Sequence, residues 1–226
     1  MTYTPRLNPE DADRIRRWHE NAYRAPREES ETYHHLGITL VIPPDVHPIT
    51  GMSHPLGRAV LDEVREGDRV LDMGTGSGVN AILAASKSAD VVAVDLNPSA
   101  VETARANAVR NGVADRIDVR VSDVFSAVEG RFDLIVFDPP FRWFAPRDML
   151  ETATTDENYG ALTAFFTGVR DHLTADGRML LFFGTSGDLG YLRSLADGQG
   201  FTTEIVSTEK LVRDGWEVEY LTFLMH

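Results

Sequence analysis

The sequence predicts an α/β fold built on a mainly parallel sheet, preceded by a short helix-and-strand extension. Residues 70–78, VLDMGTGSG, set a short apolar strand directly before a glycine turn and a helix start. Apolar runs then alternate with helix-patterned stretches as far as residue 196, the order that yields parallel strands joined by helices. Two further strand patterns, 202–208 and 217–223, flank Arg213, Asp214 and Gly215, a turn signal for a closing antiparallel hairpin.

Taken in order, Asn8, Pro9, Glu10 and Asp11 read as an N-cap, a first helical residue and an acidic first turn, with Ile15, Trp18 and Ala22 on one face of the helix. Its charges, Arg14, Arg16 and Arg17 among Asp11, Asp13 and Glu20, read as a solvated face. Residues 38–42 form a strand ended by Pro43 and Pro44, and an irregular segment follows. His34, His35, His47 and His54 lie nearby without metal-ligand spacing, so they are expected to pack or to line a pocket, and no metal is expected. Pro55, Leu56, Ala59, Val60 and Val64 mark a helix that turns through 66–69 into the strand before the glycines.

Asn97 and Pro98 cap a helix over 99–110 that ends at Asn111 and Gly112; Ile117, Val119 and Val121 alternate as a strand. Residues 132–137 are nearly all apolar, as a central strand covered on both faces requires, and end in Asp138. A helix over 162–173, a turn at 174–177, a strand over 179–183 and a helix over 189–196 complete the alternation. The expected division is an extension over 1–50, covering the substrate side, and one domain over 51–226.

A chain of 226 residues can bury roughly 70% of its unfolded surface in one domain. It contains no cysteine, which excludes disulfides and thiolate metal sites. No apolar run reaches bilayer length and no leader pattern opens the chain, so a soluble cytoplasmic protein is expected. With 22 basic against 35 acidic residues the formal charge is −13, which disfavours nucleic acid as a partner and favours a small-molecule or protein substrate.

The glycine spacing selects the ligand. A dinucleotide fingerprint needs GxGxxG; here Gly74, Gly76 and Gly78 run GxGxG and Val79 takes the third glycine's place, against NAD or FAD. Asp95 closes the apolar run 91–94 about twenty residues past the loop, where an acid meets ribose hydroxyls. These two stretches resemble motifs I and II of the class I S-adenosylmethionine-dependent methyltransferases. The resemblance implies a Rossmann-like, seven-stranded, mainly parallel sheet with a C-terminal antiparallel hairpin, and S-adenosyl-L-methionine as cofactor. By the same resemblance Asp95 holds the ribose, Asp123 the adenine amino group and the 74–78 backbone the methionine end, with Asp72 near its amino group. The implied cofactor-binding set is Asp72, Gly74, Thr75, Gly76, Ser77, Gly78, Asp95, Leu96, Asp123, Val124 and Asp138.

Asp138, Pro139, Pro140 and Phe141 carry the chemistry. Prolines donate no backbone hydrogen bond and stiffen the loop, leaving their carbonyls and the Asp138 side chain as fixed acceptors. Such acceptors can hold the two N–H groups of a substrate amine and point its lone pair at a methyl donor, with Phe141 against a flat substrate group. DPPF is similar to the (N/D)PP(Y/F/W) motif of nitrogen-modifying class I methyltransferases. The order of motifs from 36 to 183 most resembles the HemK-like group, whose motif reads NPPY. An ionised aspartate only accepts, which suits an adenine amino group, a guanidine or an alkylamine. Arg142, Trp143, Phe144 and Arg147 follow, a cluster able to stack a base, to bind an anionic small substrate or simply to close the loop. The expected activity is N-methylation of an amino, guanidino or amide nitrogen on a small molecule or protein side chain. The alternatives are adenine-N6 methylation of RNA or DNA, a silent S-adenosylmethionine-binding module, and an NAD-dependent oxidoreductase.

Overall fold

A computed structural model describes residues 3–22, 27–213 and 215–226. Seven strands form one sheet: β3 (Arg69–Met73), β4 (Asp90–Asp95), β5 (Ile117–Val121), β6 (Phe132–Phe137), β7 (Leu173–Gly184), β8 (Thr203–Arg213) and β9 (Trp216–Met225). Their spatial order is β5-β4-β3-β6-β7-β9-β8, and β9 alone runs antiparallel to its neighbours. This is the predicted seven-stranded, mainly parallel arrangement.

Period-two alternation sends each central strand into two cores. Leu134 and Val136 of β6 join Leu180 and Phe182 of β7 on one face, under α2 (Ser53–Glu63), α3 (Val79–Ala84) and α4 (Pro98–Arg110). Phe132, Ile135 and Phe137 join Met179, Leu181 and Phe183 on the other, under α5 (Gly160–Gly168) and α6 (Leu189–Gly198). The predicted caps form, Asn97 accepting from Ser99 N and Asn8 from Asp11 N (2.9 Å), and Asp188 adds one by accepting from Tyr191 N.

Three elements depart from the sequence expectation. The segment at 174–177 is a bulge inside β7, whose pairing with β6 shifts between Phe132 and Leu134, and the helix before it ends at Gly168. Residues 38–42 are β2 (Ile38–Ile42) of a hairpin with β1 (Glu31–His35), which was not expected; the turn is made by Leu36 and Gly37, both at positive φ. Polar Thr32, His34 and His35 hid β1, because a mostly exposed strand has no apolar period to reveal it. The closing hairpin is also longer than predicted at both ends, and Asp214 of its turn lies outside the described residues.

The hairpin docks through α4. Asn107 and Asn111, one turn apart, pair their carboxamides with the backbone N–H and C=O of Val41 and Thr39, covering the edge of β2. Asn107 also donates to Ser77 O (2.9 Å), linking this edge to the glycine turn.

At the other end, α1 (Pro9–Ala22) lies on the loop after the diproline corner rather than in solvent. Ile15 is 1% exposed, His19 binds buried Glu151 (2.9 Å), Arg16 covers Phe144 and Glu20 meets Arg147 (3.1 Å). The expected solvated face is thus partly a docking face; the side chain of Ala22 lies outside the described residues. No helix among the described residues is long and apolar enough to cross a membrane.

Candidate active site

The glycine turn and the diproline corner leave neighbouring parallel strands at one edge. Met73 of β3 pairs with Phe137 of β6, so Gly74 and Asp138 come next on adjacent strands. On the other side of β3, Met73 pairs with Val94, which brings Asp95 to the same level. Ser122 N donates to Asp95 O (2.9 Å) and fastens the Asp123 turn to the end of β4. The predicted acids therefore gather beyond the carboxyl ends of the strands, where α/β sheets take ligands.

Asp72 is 1% exposed and accepts from Thr75 Oγ1 (2.6 Å) and Ala81 N (3.0 Å), folding the glycine turn back onto α3. Burial pushes its carboxyl up to about 7, against those two hydrogen bonds. Asp95 accepts from Gly76 N and Asn97 N (both 2.8 Å), one on each oxygen, and burial raises it too. Each oxygen can accept again, so a vicinal diol is a fitting partner.

The turn itself leaves room. Gly76 has φ +54 with open space where a Cβ would stand, whereas a Cβ on Gly78 would meet Ala104 Cα at 3.0 Å. One glycine serves the ligand side and the other lets α4 pack close. Leu96 is 45% exposed beside Asp95, an apolar surface that a flat heterocycle would cover. Asp123 is exposed at the rim. Val124 holds φ +46, costly for a β-branched residue, because Ser122 Oγ donates to its carbonyl (2.7 Å) and accepts from Ala127 N (3.0 Å).

Asp138 follows the end of β6 with its side chain open to solvent, and the protein packed around it, followed by the charge of Asp72, pushes its carboxyl up. Pro139 is buried and Pro140 half-buried. Phe141 rests on Phe183 (5.1 Å between centroids), Phe182 (5.8 Å) and Tyr220 (6.0 Å), a wall anchored to β7 and β9. Its carbonyl accepts from Tyr159 Oη (2.5 Å), which in turn accepts from Asp188 N (2.8 Å). Asn158 and Tyr159 both sit at left-handed φ, so backbone strain is concentrated where the corner is pinned.

Two residues join the site without a role assigned from sequence. His47 follows β2 in a segment held by Asn97 Nδ2 to Asp45 O (3.0 Å) and by Arg27 Nη2 to Pro43 O and Val46 O. It is solvent-accessible but walled in, and burial, then Arg142 and Arg27, push its imidazole down to about 4. Tyr159 gave no local signal at all, since its partners lie 18 and 29 residues away.

The cluster after the corner divides. Trp143 is buried against Phe144 and Tyr159, Phe144 lies between Arg16 and His19, and Arg147 clasps Glu151 and Glu20. These three close the loop onto α1. Arg142 does not share in that ion-pair network: its guanidinium lies 4.5 Å over the Trp18 ring.

The profile of the methyltransferase small domain family matches residues 57–212. The chain belongs to this family. Class I S-adenosylmethionine-dependent methyltransferases include it, with S-adenosylmethionine as cofactor. Ribosomal protein L11 methyltransferase of Exiguobacterium sp. is 48% identical over 91 residues, 40% of this chain and 28% of that protein. Release factor glutamine methyltransferase of Cereibacter sphaeroides is 36% identical over 132 residues, 52% of this chain and 47% of that one. Ribosomal RNA small subunit methyltransferase C of Klebsiella pneumoniae is 37% identical over 142 residues, 62% and 37% respectively. The chain thus matches less than half the length of these relatives. SMU.776 complexed with SAH shares the fold, with a TM-score of 0.65 at 15% identity over 89% of this chain and 57% of that chain.

Proposed function

We propose that this small-domain methyltransferase transfers a methyl group to an amino, guanidino or amide nitrogen of a small molecule or protein side chain. The observation that carries this reading is the β3–β6 register, which sets the glycine turn and the Asp138 corner side by side. Bound at the glycine edge, S-adenosylmethionine supplies an electrophilic methyl. Asp138, when ionised, accepts one N–H of the incoming nitrogen and the Pro139 carbonyl accepts another, so that the lone pair turns toward the cofactor edge. With its carboxyl raised by burial, Asp138 is suited to take the proton the nitrogen sheds. Asp95 would hold the ribose, Leu96 and Val124 would flank the base, Asp123 would meet the adenine amino group, and the 74–78 backbone would meet the methionine end. The 1–50 extension covers the acceptor side, a role supported by the ties from the 43–47 segment to Asn97 and Arg27.

A second reading, methylation of an adenine amino group in RNA, is favoured by the ribosomal RNA relative and disfavoured by the charge of −13. Labelled methyl transfer into cell extract separated into metabolite, protein and RNA fractions decides between them. Label is expected in the metabolite or protein fraction; label confined to RNA selects the second reading. Cofactor binding without label in any fraction indicates a silent module. Asp138→Ala is expected to abolish most turnover while cofactor affinity stays within a few-fold of the parent, and unchanged turnover would remove Asp138 from the mechanism.

A further inference from the structure

Two arginines are buried in the described fold with opposite provision for their charge. Arg178, 2% exposed, pairs with Glu63 and with Asp68 (2.9 Å) and donates to Asp133 O. Arg142, 9% exposed, has a sealed Nε with no acceptor, and its guanidinium forms no ion pair or hydrogen bond among the described residues. Glu151, the one carboxylate whose charge supports it, is already spent on His19 and Arg147. The Trp18 face offers a cation–π contact, which recovers only part of what dehydrating a guanidinium costs. Burial lowers Arg142 to about 10, so it stays charged at neutral pH. A cation held over an aromatic face, with its Nε sealed and no counter-charge among the described residues, is a site prepared for an anion.

Its place says which anion matters. Arg142 follows Phe141 directly, at the end of the diproline corner, and its charge reaches His47 in the segment that Asn97, next but one to Asp95, holds through Asp45 O. Three residues separate it from Asp138, so the two side chains spring from Cα atoms at most about 14 Å apart. We propose that Arg142 receives a carboxylate or phosphate carried by a small methyl acceptor whose nitrogen is presented to Asp138. This rests on the methyl-transfer reading of the same cleft. A small acceptor is favoured over a nucleic acid because, among the described residues, Arg147 is committed to Glu151 and Glu20 and Arg27 to Glu31 and the 43–46 carbonyls, in a chain of charge −13.

The tryptophans report on it. Trp18 lies under the guanidinium, Trp143 is the next residue and Trp216 meets Trp18 edge-on at 5.8 Å, and the chain has three in all. The test titrates full-length protein, loaded with S-adenosylhomocysteine, with inorganic phosphate and separately with acetate, ionic strength being held constant with chloride. A saturable change in tryptophan emission is expected, and the anion that saturates first names the acceptor's charged group. Arg142→Gln is expected to weaken that response at least tenfold while S-adenosylhomocysteine affinity, read by calorimetry, stays within twofold. Arg142→Lys, which keeps the charge and loses the planar fork, is expected to fall between; should the glutamine variant not fold, the lysine variant carries the comparison. An equal response in the variants, or none from either anion in protein that binds S-adenosylhomocysteine, overturns the proposal alone. Arg142-dependent binding of a short single-stranded RNA in the absence of any small-anion response overturns it in favour of nucleic acid. Failure of the parent to bind S-adenosylhomocysteine overturns the methyl-transfer reading instead.

Discussion

Asp72, Asp95 and Asp138 look alike in sequence, each closing a strand, but their surroundings give them different work. Asp95 spends one hydrogen bond per oxygen on the turn and keeps capacity for a ligand. Asp95→Ala is therefore expected to weaken cofactor binding by roughly 1–3 kcal/mol, or about 5- to 150-fold, with little change in turnover at saturating cofactor. Calorimetry with S-adenosylhomocysteine measures this, and an unaltered dissociation constant would count against the ribose assignment. Asp72 and Asp138 are both raised, Asp72 to about 7, chiefly by burial. In the free protein they are thus partly protonated near pH 6–7. A cationic ligand favours their ionised forms, so binding S-adenosylmethionine should release protons and tighten as pH rises from 6 to 8. Calorimetry in two buffers of unlike ionisation enthalpy reads the proton count directly; proton uptake on binding would contradict the sign.

At the scale of elements, the active edge depends on pieces that are remote in sequence. The diproline corner is stiff by itself, yet its direction is set by Tyr159, which ties Phe141 O to the β7–α6 connection. The paired left-handed residues Asn158 and Tyr159 place that hydroxyl, at a cost of about 1–3 kcal/mol each. Tyr159→Phe keeps the ring and removes both hydrogen bonds. It is expected to lower stability by about 1–3 kcal/mol. Turnover should fall roughly 10- to 100-fold as the corner shifts. Cofactor affinity should hold, since Asp95 and the glycine turn do not rest on Tyr159. Thermal melts and a kcat-against-Kd comparison test the split; a loss in cofactor affinity equal to the loss in turnover would show a general collapse instead.

For the molecule as a whole, the sheet divides the labour. Strands β3, β4 and β5 with α3 and α4 carry the glycine turn and Asp95, while α1 meets the loop after β6 and the start of β9. Tyr3 adds to these, its hydroxyl donating to Asp188 and its ring meeting Trp143, Tyr159 and Tyr191. A chain lacking residues 1–22 is expected to keep its far-ultraviolet dichroism and to bind S-adenosylhomocysteine within a few-fold, but to lose turnover and to associate through uncovered Trp143 and Phe144. Calorimetry and light scattering check both halves, and full turnover in the truncated chain would make α1 dispensable.

Much of this was legible in the sequence because it is local. Residues 70–78, Asp95 and the DPPF corner each encode their own turn, and apolar runs long enough to be buried on both faces announce the central strands. The cofactor edge follows from those signals once the strands pair in parallel. Tertiary structure alone decided what the residues after the diproline corner touch. Whether Trp143 and Phe144 face a ligand or α1, whether Tyr159 pins Phe141, and whether Arg142 finds a carboxylate all depend on contacts between residues up to about 130 positions apart. The tripeptide Arg142-Trp143-Phe144 reads the same in either case. Only the packing of α1 shows which of these side chains is already occupied and that the guanidinium of Arg142 meets no counter-charge among the described residues.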